Sequence, residues 1–458
     1  LRLIKDFNFY FLPKQFSFRT DLNRSYLETK MRNTSSVDID LPEMYSKLFT
    51  MSRIYNMKYD ITRSIKLNFS ASNRSVVDEP LGRIDTKEER DSVLNNILNL
   101  GRPTEYHHNF DIRYTLPINK IPILSWINTS INYDAGYDWR ASSLASQAYG
   151  NTIQNNNSIK LNTQFNLTSL YNKVPFLKKM LSSYSNSNKS RSNVRSSKKN
   201  DQIEEDKKPS NTILDKTLKV VTKGIFSVKN LSVSYTETNG TLLPGFLPET
   251  QILGLHNPLS SPAPTLGFVL GSQNDIRMDA ANNGWITSDV NLNNLYTQTF
   301  SNNLNVRATI EPVSRFKIMF TGSRRYSMNE TEYFRNTELD GSPVFEHISN
   351  SRTGNFNISF LAIRTSFVSD RLDNSSQLFD NFVNYRFDIA QRLASQQGLP
   401  YNTTSYPEGY GPSSQEVMIP AFLAAYSGQS PNKQSLNLFP SIPMPNWSIN
   451  FNGFTKIP

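Results

Sequence analysis

The sequence predicts an all-β chain: an antiparallel transmembrane β-barrel sheet with long extracellular loops and short helical inserts. Three observations lead to this class. Apolar and polar residues alternate in about twelve stretches, short and long connections alternate between those stretches, and the overall composition is polar. Together they favour about twelve strands of a much larger barrel.

The longest alternation runs from Ile127 to Arg140, INTSINYDAGYDWR. Its odd positions are mostly apolar and its even positions are polar, and successive side chains of a strand point to opposite faces. At ~3.3 Å per residue, Ile127 to Tyr137 covers ~33 Å, which rises ~25 Å at a tilt of roughly 40°. This rise equals the height of the apolar band around an outer-membrane barrel, so the stretch predicts a membrane-crossing strand.

The same alternation assigns side chains to two environments. The positions predicted to face lipid are Ile127, Ile131, Tyr133, Tyr137, Trp139, Leu161 and Phe165, with Tyr137 and Trp139 at the level of an aromatic girdle. The positions predicted to face the lumen are Asn128, Ser130, Asn132, Asp134, Asp138, Lys160, Asn162, Gln164, Asn166, Asn305, Arg307, Lys317 and Arg352. Such a wall mixes amides with both signs of charge, whereas a selective small-solute pore more often carries a ring of one sign.

The composition excludes a bundle of membrane helices. Hydrophobic residues make up 37% of the chain, the mean hydropathy is -0.50, and no run approaches the ~18 apolar residues that a spanning helix needs. A barrel fits these values because only alternate strand residues meet lipid. Cysteine is absent, so the chain has no disulfide framework and no thiolate metal site.

Shorter alternating patterns occur along the rest of the chain. They lie near residues 7–11, 16–20, 55–61, 65–71, 110–116, 159–167, 231–235, 304–310, 316–320, 356–360 and 447–451. Each has the period of two residues that is typical of a half-buried strand.

The connections between these patterns are of two kinds. Short ones, built of turn residues, lie near 12–15, 62–64, 116–122 and 312–314, and long ones lie near 28–50, 76–104, 142–157, 239–296 and 328–352. Since the two kinds alternate, all short turns fall at one end of the sheet. An outer-membrane barrel has this sidedness, with short periplasmic turns and long extracellular loops. A soluble β-sandwich, the alternative for a single long strand, has no reason to keep it.

The chain therefore divides into five regions. Residues 1–168 are predicted to form barrel strands with a loop insert at 76–104, and residues 169–225 a periplasmic segment that contains a disordered basic run at 178–208. Residues 226–368 are predicted to form further barrel strands with a long loop at 239–296. A helical insert rich in Gly, Pro and Tyr is predicted at 370–445, and a strand and turn at 446–458. The chain opens without Met in a strand-like pattern and stops where another strand is expected. We expect it to be an internal piece whose barrel closes elsewhere.

Three stretches read as helices. Thr86 and Glu89 form a capping-box pattern at the start of 86–100. A second helix is predicted at 374–397 and a short third at 414–426, interrupted by Pro420. Strand parity places the insert at 370–445 at the short-turn end, unless the pattern at 353–368 is a strand that fails to cross.

No pattern of catalytic or metal-binding residues is present. His107 and His108 are adjacent on a strand and so point to opposite faces, while His256 and His347 lie in loops without ligand partners at suitable spacing. No phosphate-binding glycine loop or nucleophile elbow occurs. We expect no enzymatic activity, no cofactor and no metal. We also expect no nucleic-acid binding by the run 178–208, because only Tyr184 interleaves its basic residues.

Several long motifs resemble a known family. YGNTIQN at 149–155 leads to LYNKVPFLKK, ATIEPVSRFKI is followed by SRRYSMNETEYFRN, and GYGPSSQEVMIPAFLAAYSG is followed by NLFPSIPMPNW. These motifs look like those of the SprA family, the giant outer-membrane translocon barrels of the type IX secretion and gliding motility machinery.

The resemblance implies a single-chain barrel of about 36 strands in the outer membrane of a Gram-negative-type bacterium, of which this chain would supply roughly a third. It also implies a protein-conducting lumen for folded secreted cargo proteins and a lateral opening toward outer-membrane lipid. The implied partners are a smaller PorV-like barrel at that opening and a periplasmic plug protein. Two alternatives stay open: an outer-membrane nutrient receptor with a plugged barrel, and a barrel-anchored surface adhesin.

Overall fold

The computed structural model describes residues 8–32, 41–175, 178, 224, 226–313, 315–338, 341–360, 364–369, 376–400 and 404–452. One antiparallel sheet of eleven strands dominates this part of the chain. The predicted class, an all-β antiparallel sheet of the barrel type with long loops and short helical inserts, is therefore confirmed. Among the described residues, the helices all fall short of the length and apolar character needed to cross a membrane.

The first ten strands form a meander in which each strand pairs with the next. The strands are β1 (Gln15–Thr29), β2 (Met44–Asp60), β3 (Ile65–Val76), β4 (Arg102–Leu116), β5 (Ile127–Arg140), β6 (Asn151–Asn166), β7 (Val228–Phe246), β8 (Tyr296–Val313), β9 (Phe316–Asn336), β10 (Phe345–Ile358) and β11 (Asn446–Phe451). The first ten exceed the common strand length of 5–6 residues by a factor of two or more. They are long enough to span a bilayer and continue beyond it.

Six α-helices and three 3-10 turns complete the described elements. The helices are α1 (Lys87–Leu98), α2 (Leu167–Lys173), α3 (Leu266–Val269), α4 (Arg277–Asn282), α5 (Gln377–Gln396) and α6 (Gln415–Ser427), and the 3-10 turns are Pro117–Lys120, Pro122–Leu124 and Leu144–Tyr149. The capping box at Thr86 and Glu89 is confirmed, since both of its hydrogen bonds form at the start of α1. Pro420 lies inside α6, which the structure shows as one continuous helix rather than an interrupted one.

Eleven of the twelve predicted strand patterns coincide with strands. The first, at residues 7–11, does not, because residues 8–11 are not in a strand and residue 7 lies outside the described part. Tyr10 N donates to Ile61 O (3.1 Å) and Lys14 N donates to Lys58 O (2.8 Å). This segment thus runs along the end of β2 instead of crossing the sheet. Apart from Lys178, the basic run 178–208 also lies outside the described residues.

The pairing registers separate two faces of the sheet along its whole width. On β5, Ile131 pairs with Tyr114 of β4 and Leu161 of β6. Its neighbour Asn132 pairs with Arg113 and Lys160. Because paired residues share a face, we call the side that carries Ile131 the apolar face and the side that carries Asn132 the polar face.

The tenth strand leaves the sheet before it reaches the far end. β10 ends at Ile358, which pairs with Arg324 of β9, and β11 then pairs with the remaining part of β9, from Thr321 to Phe316. Both run antiparallel to β9, so they form two halves of one interrupted strand. The pattern near 353–368 is thus a strand that fails to cross, and the insert does not emerge at the short-turn end as strand parity had suggested.

The insert occupies residues 359–445, between the two halves of this strand. Its entry and exit meet at a neck, where Met444 N donates to Ser359 O (3.0 Å) and Ser359 Oγ donates to Met444 O (2.6 Å). Helices α5 and α6 pack on each other around the fully buried side chains of Ile389, Val417 and Ala421. The insert therefore has a small core of its own.

Candidate functional site

The candidate site is the polar face, which would line a barrel lumen. The registers place on this face nine of the residues predicted to line the lumen, which are Asn128, Ser130, Asn132, Asp134, Lys160, Asn162, Gln164, Asn305 and Arg307. None of them is buried. The face is thus accessible to water over the length of β5, β6 and β8.

Several charges on the β4–β6 part of the polar face are paired. Lys160 Nζ lies 3.0 Å from Asp134 Oδ2, and Arg140 Nε lies 4.0 Å from Glu105 Oε1. Exposed pairs such as these contribute only about 0–1 kcal/mol each to stability. Their main effect is to leave this part of the wall with little net field.

Two further residues predicted to line the lumen, Lys317 and Arg352, lie on different faces of the sheet. Lys317 lies on the polar face of β9, beside Asn450 of β11. Arg352 was expected on the same face but lies on the other one, where its guanidinium bonds Glu330 (2.7 Å). Side chains alternate along β10, so Arg352 lies on the same face as Phe356, four residues later. Phe356 pairs with Tyr326 on the apolar face.

The apolar face divides into two zones along the strands. Near the short turns it carries Ile127, Ile131, Leu161 and Phe165, which are all half-buried and lie on the side predicted to meet lipid. Tyr133 lies on the same face but at the boundary of the zone, because its hydroxyl donates to Leu270 O (2.8 Å) in the loop between β7 and β8. The zone toward the long loops is different, because three segments of the chain cover it.

The largest covering segment is the covering loop, residues 247–295 between β7 and β8. It buries Tyr137 and Trp139, which are 0% and 2% exposed. Phe268 of the loop stands edge-on to the Tyr137 ring, and the Trp139 indole donates to Pro248 O (3.0 Å). The expectation that these two aromatic side chains lie open to lipid is therefore corrected: they are on the predicted face but packed beneath the loop.

Polar side chains on β4 and β6 hold the covering loop in place. Asn155 Nδ2 donates to Phe268 O (2.8 Å) and to Ser272 O (2.7 Å), and Asn157 Nδ2 donates to Gly271 O (2.6 Å). His108 Nε2 lies 2.9 Å from Val269 O. Since buried backbone carbonyls need partners, these contacts fix the loop on the sheet.

The close approach of loop and sheet also requires glycine. Gly271 has φ +90°, a conformation that L side chains rarely adopt, and a Cβ placed there would lie 2.8 Å from the Cβ of Ala135. Ala135 is itself fully buried. A side chain at position 271 would therefore push the loop off β5.

A second anchor lies across the sheet, where Arg277 of α4 reaches β8, β9 and β10. Its guanidinium pairs with the carboxylate of Glu332, whose side chain is 4% exposed, and lies 4.1 Å from the ring centroid of Tyr296. It also pairs with Asp275 (2.8 Å). Burial alone would raise the pKa of Asp275, but hydrogen bonds from the Arg277 side chain and backbone outweigh it and lower that pKa.

The other two covering segments also lie on the apolar face. Val93 and Ile97 of α1 pack against Phe49 and Met51 of β2. The insert contacts β9 through Pro440, whose carbonyl oxygen accepts a hydrogen bond from the Arg324 guanidinium (2.9 Å). Contacts on the polar side also occur near the long loops: Arg335, at the upper end of β9, donates to Leu292 O (3.4 Å), and Arg102 of β4 pairs with Asp78 (3.1 Å).

Sequence reasoning missed these covering segments, although a signal for them is present. On the apolar side of β6 the pattern turns from Leu161 and Ile159 to Asn157 and Asn155. Amides at positions expected to meet lipid indicate that the strand has left the apolar band and has a polar partner there.

The histidines do not form a metal site. His107 and His108 lie on opposite faces, as the sequence predicted, and His256 contacts the backbone of Glu249. His347 Nδ1 lies 2.9 Å from Glu332 Oε1 within the Arg277 anchor. The described residues contain no group of three or more His, Asp or Glu side chains that could hold a metal ion.

Comparisons with known proteins identify no family. No family model and no curated protein matches the chain. Among solved structures, the chain is similar to the ferric yersiniabactin uptake receptor FyuA from Yersinia pestis, with 11% identity and a TM-score of 0.19. The match covers 74% of this chain and 38% of that receptor, and at this TM-score it carries no argument about function.

Proposed function

We propose that this chain is part of a protein-conducting outer-membrane translocon of the type IX secretion system, which passes folded cargo proteins to the cell surface. The motifs quoted above support this function, and so does the arrangement of the sheet. The polar face would be the wall of the passage and the apolar face would meet the outer membrane.

One observation carries the proposal: in the described part of the chain, the three covering segments pack on the apolar face, and contacts on the polar side, such as that of Arg335 with Leu292 O, lie near the long loops. Long loops in a barrel can fold into the lumen or away from it. The covering loop, α1 and the insert all pack on the side of Ile131, opposite the side of Asn132. A barrel built this way keeps its lumen clear over these strands, which a channel for folded proteins requires.

The wall itself also suits the transport of varied cargo. On β5, β6 and β8, the amides, hydroxyls and paired charges such as Lys160–Asp134 are well hydrated and offer no extended apolar patch to a passing protein. A binding receptor would instead place a concave, partly apolar site in the path. The proposal includes no catalytic step and no cofactor.

A lumen of this kind would leak small solutes unless it were blocked. Barrels of 16–18 strands already hold an aqueous channel, and diameter grows roughly linearly with strand number. We therefore propose that the stable assembly contains a periplasmic plug protein or a smaller PorV-like barrel at a lateral opening. Secreted cargo proteins would be transient occupants.

The test is the conductance of the purified full-length protein, stripped of partners, in a planar bilayer. We expect a conductance well above that of a porin, with little preference between cations and anions. Exchanging the charges with Asp134→Arg and Arg307→Asp should leave that preference nearly unchanged, since the centre of a wide pore lies beyond the ~8 Å Debye length of its wall at physiological salt.

Other results would favour the alternatives. A small and strongly selective conductance would contradict the proposal and support a nutrient receptor with a plugged barrel. No conductance from a folded, partner-free protein that still binds surface ligands would support an adhesin.

A further inference from the structure

The interruption of the tenth strand creates a groove at the base of the insert. β10 turns away after Ile358, and Phe360 follows the neck at Ser359 and Met444. Beside Phe360 lies a groove of about 490 Å³, bounded by the neck on one side and by the end of α6 on the other. This volume falls in the range of sites that bind small molecules.

The lining of the groove combines an apolar floor with a basic rim. The apolar side chains are Ile358, Phe360, Leu423, Pro440, Ile442 and Met444, and the basic ones are Arg364 and Lys433. No acidic side chain is among the described residues that line it. Ile442 is 79% exposed, so the apolar floor is open to whatever lies beside the sheet.

Within the described part of the chain, the two basic side chains lack anionic partners. Neither Arg364 nor Lys433 forms an ion pair with any other residue in the described part of the chain, and both are exposed. Elsewhere in the insert, Arg392 donates to the backbone carbonyls of Pro431 and Gln434. The rim therefore offers two free cations, a guanidinium and an ammonium, next to an apolar floor.

The groove is continuous with the side of the sheet that faces lipid in our account. β11 continues the interrupted strand below the neck and presents Trp447, Ile449 and Phe451, which are 47%, 50% and 42% exposed. Ile358 pairs with Arg324, eight residues along β9 from Phe316. This is ~26 Å along the strand, or a rise of ~20 Å at a tilt of roughly 40°, close to the upper edge of a ~25 Å apolar band.

We propose that the groove binds one phospholipid of the surrounding membrane, with an acyl chain against Phe360, Leu423 and Ile442 and the phosphate between Arg364 and Lys433. Because the groove lies at the edge of the apolar band, the acyl chain and the headgroup of one lipid can both reach it. The bound lipid fills the gap that the interrupted strand leaves between the insert and the sheet. This inference does not depend on what passes through the lumen.

The test uses the full-length protein reconstituted in nanodiscs of phosphatidylglycerol and phosphatidylcholine, then released into mild detergent and weighed by native mass spectrometry. The wild type should retain one phospholipid through extended delipidation. Two pocket variants should lose it: Arg364→Gln with Lys433→Gln, which removes the charges, and Leu423→Trp, which fills the floor. Arg364→Lys should retain it at least in part.

The matched control is Lys58→Gln with Lys66→Gln, which removes two cations on the polar face. It should keep the retained lipid, and all variants should show wild-type heat-modifiable mobility. Equal lipid loss in the control, retention in both pocket variants, or retention of inorganic phosphate, a lipopolysaccharide or a second copy of the protein in place of a phospholipid would overturn the proposal. If the protein retains the lipid but shows a small, selective conductance, this inference is supported and the proposed translocon function is contradicted.

Discussion

Replacing Ile131 by arginine tests which face of the sheet meets lipid. Ile131 lies four residues from the start of β5 at Ile127, which is ~13 Å along the strand and a rise of ~10 Å at a tilt of roughly 40°. This places it near the middle of a ~25 Å apolar band, where an arginine on the lipid face costs about 2–4 kcal/mol. We expect Ile131→Arg to lower the free energy of unfolding by that amount.

The matched control is Ser130→Arg, one residue away on the polar face. Ser130 pairs with Thr115 and Asn162, so an arginine there has no like charge directly opposite it. Asn132 would be a poorer control because it lies between Arg113 and Lys160. We expect Ser130→Arg to change the stability by less than about 1 kcal/mol, since surface substitutions usually have small effects.

The assay is urea unfolding of the full-length protein in lipid vesicles, followed by heat-modifiable mobility. A loss of about 2–4 kcal/mol in the first variant alone supports the assignment of faces. Equal losses in both variants, or a larger loss in Ser130→Arg, would refute it.

Three further predictions concern the covering segments. Asn155→Ala removes two bonds to loop carbonyls, each contributing about 1 kcal/mol, so limited proteolysis within residues 247–295 should accelerate about tenfold or more. The lowered pKa of Asp275 means that its stabilising effect is complete above its ordinary value of 3.8 and is lost as the pH falls below it. The protection of α4 amides from exchange, relative to their intrinsic rate at each pH, should therefore fall in acid, and Arg277→Gln should weaken this dependence. Thr86→Ala should destabilise α1 by about 1 kcal/mol, measured by amide exchange, while Thr86→Ser should not.

Local patterns in the sequence were sufficient to predict most of the sheet. The period of two around Ile131 correctly indicated a strand and the parity of its two faces, because side-chain direction alternates wherever a strand forms. The capping box at Thr86 likewise indicated where α1 begins. These features depend on residues close together in the chain, so a single sequence contains them.

The features that the sequence did not reveal depend on contacts between distant residues. β10 and β11 read as two strands because each has its own alternation, and nothing local shows that both pair with β9. Tyr137 and Trp139 have the spacing of a girdle, yet Phe268, more than a hundred residues later, covers the Tyr137 ring. The amides at Asn155 and Asn157 were the local sign that this part of the face has a protein partner.

Cysteine accessibility tests the central claim, that the polar face lines a passage wide enough for folded proteins. The chain contains no cysteine, so Asn162→Cys, in a full-length background free of other cysteines, gives one reporter on that face. In partner-free protein in vesicles, a small hydrophilic maleimide and a maleimide attached to a small folded protein should both label it. Leu161→Cys, on the apolar face, should react with neither. Labelling of Asn162→Cys by the small reagent alone would show a narrow or plugged lumen and contradict the account.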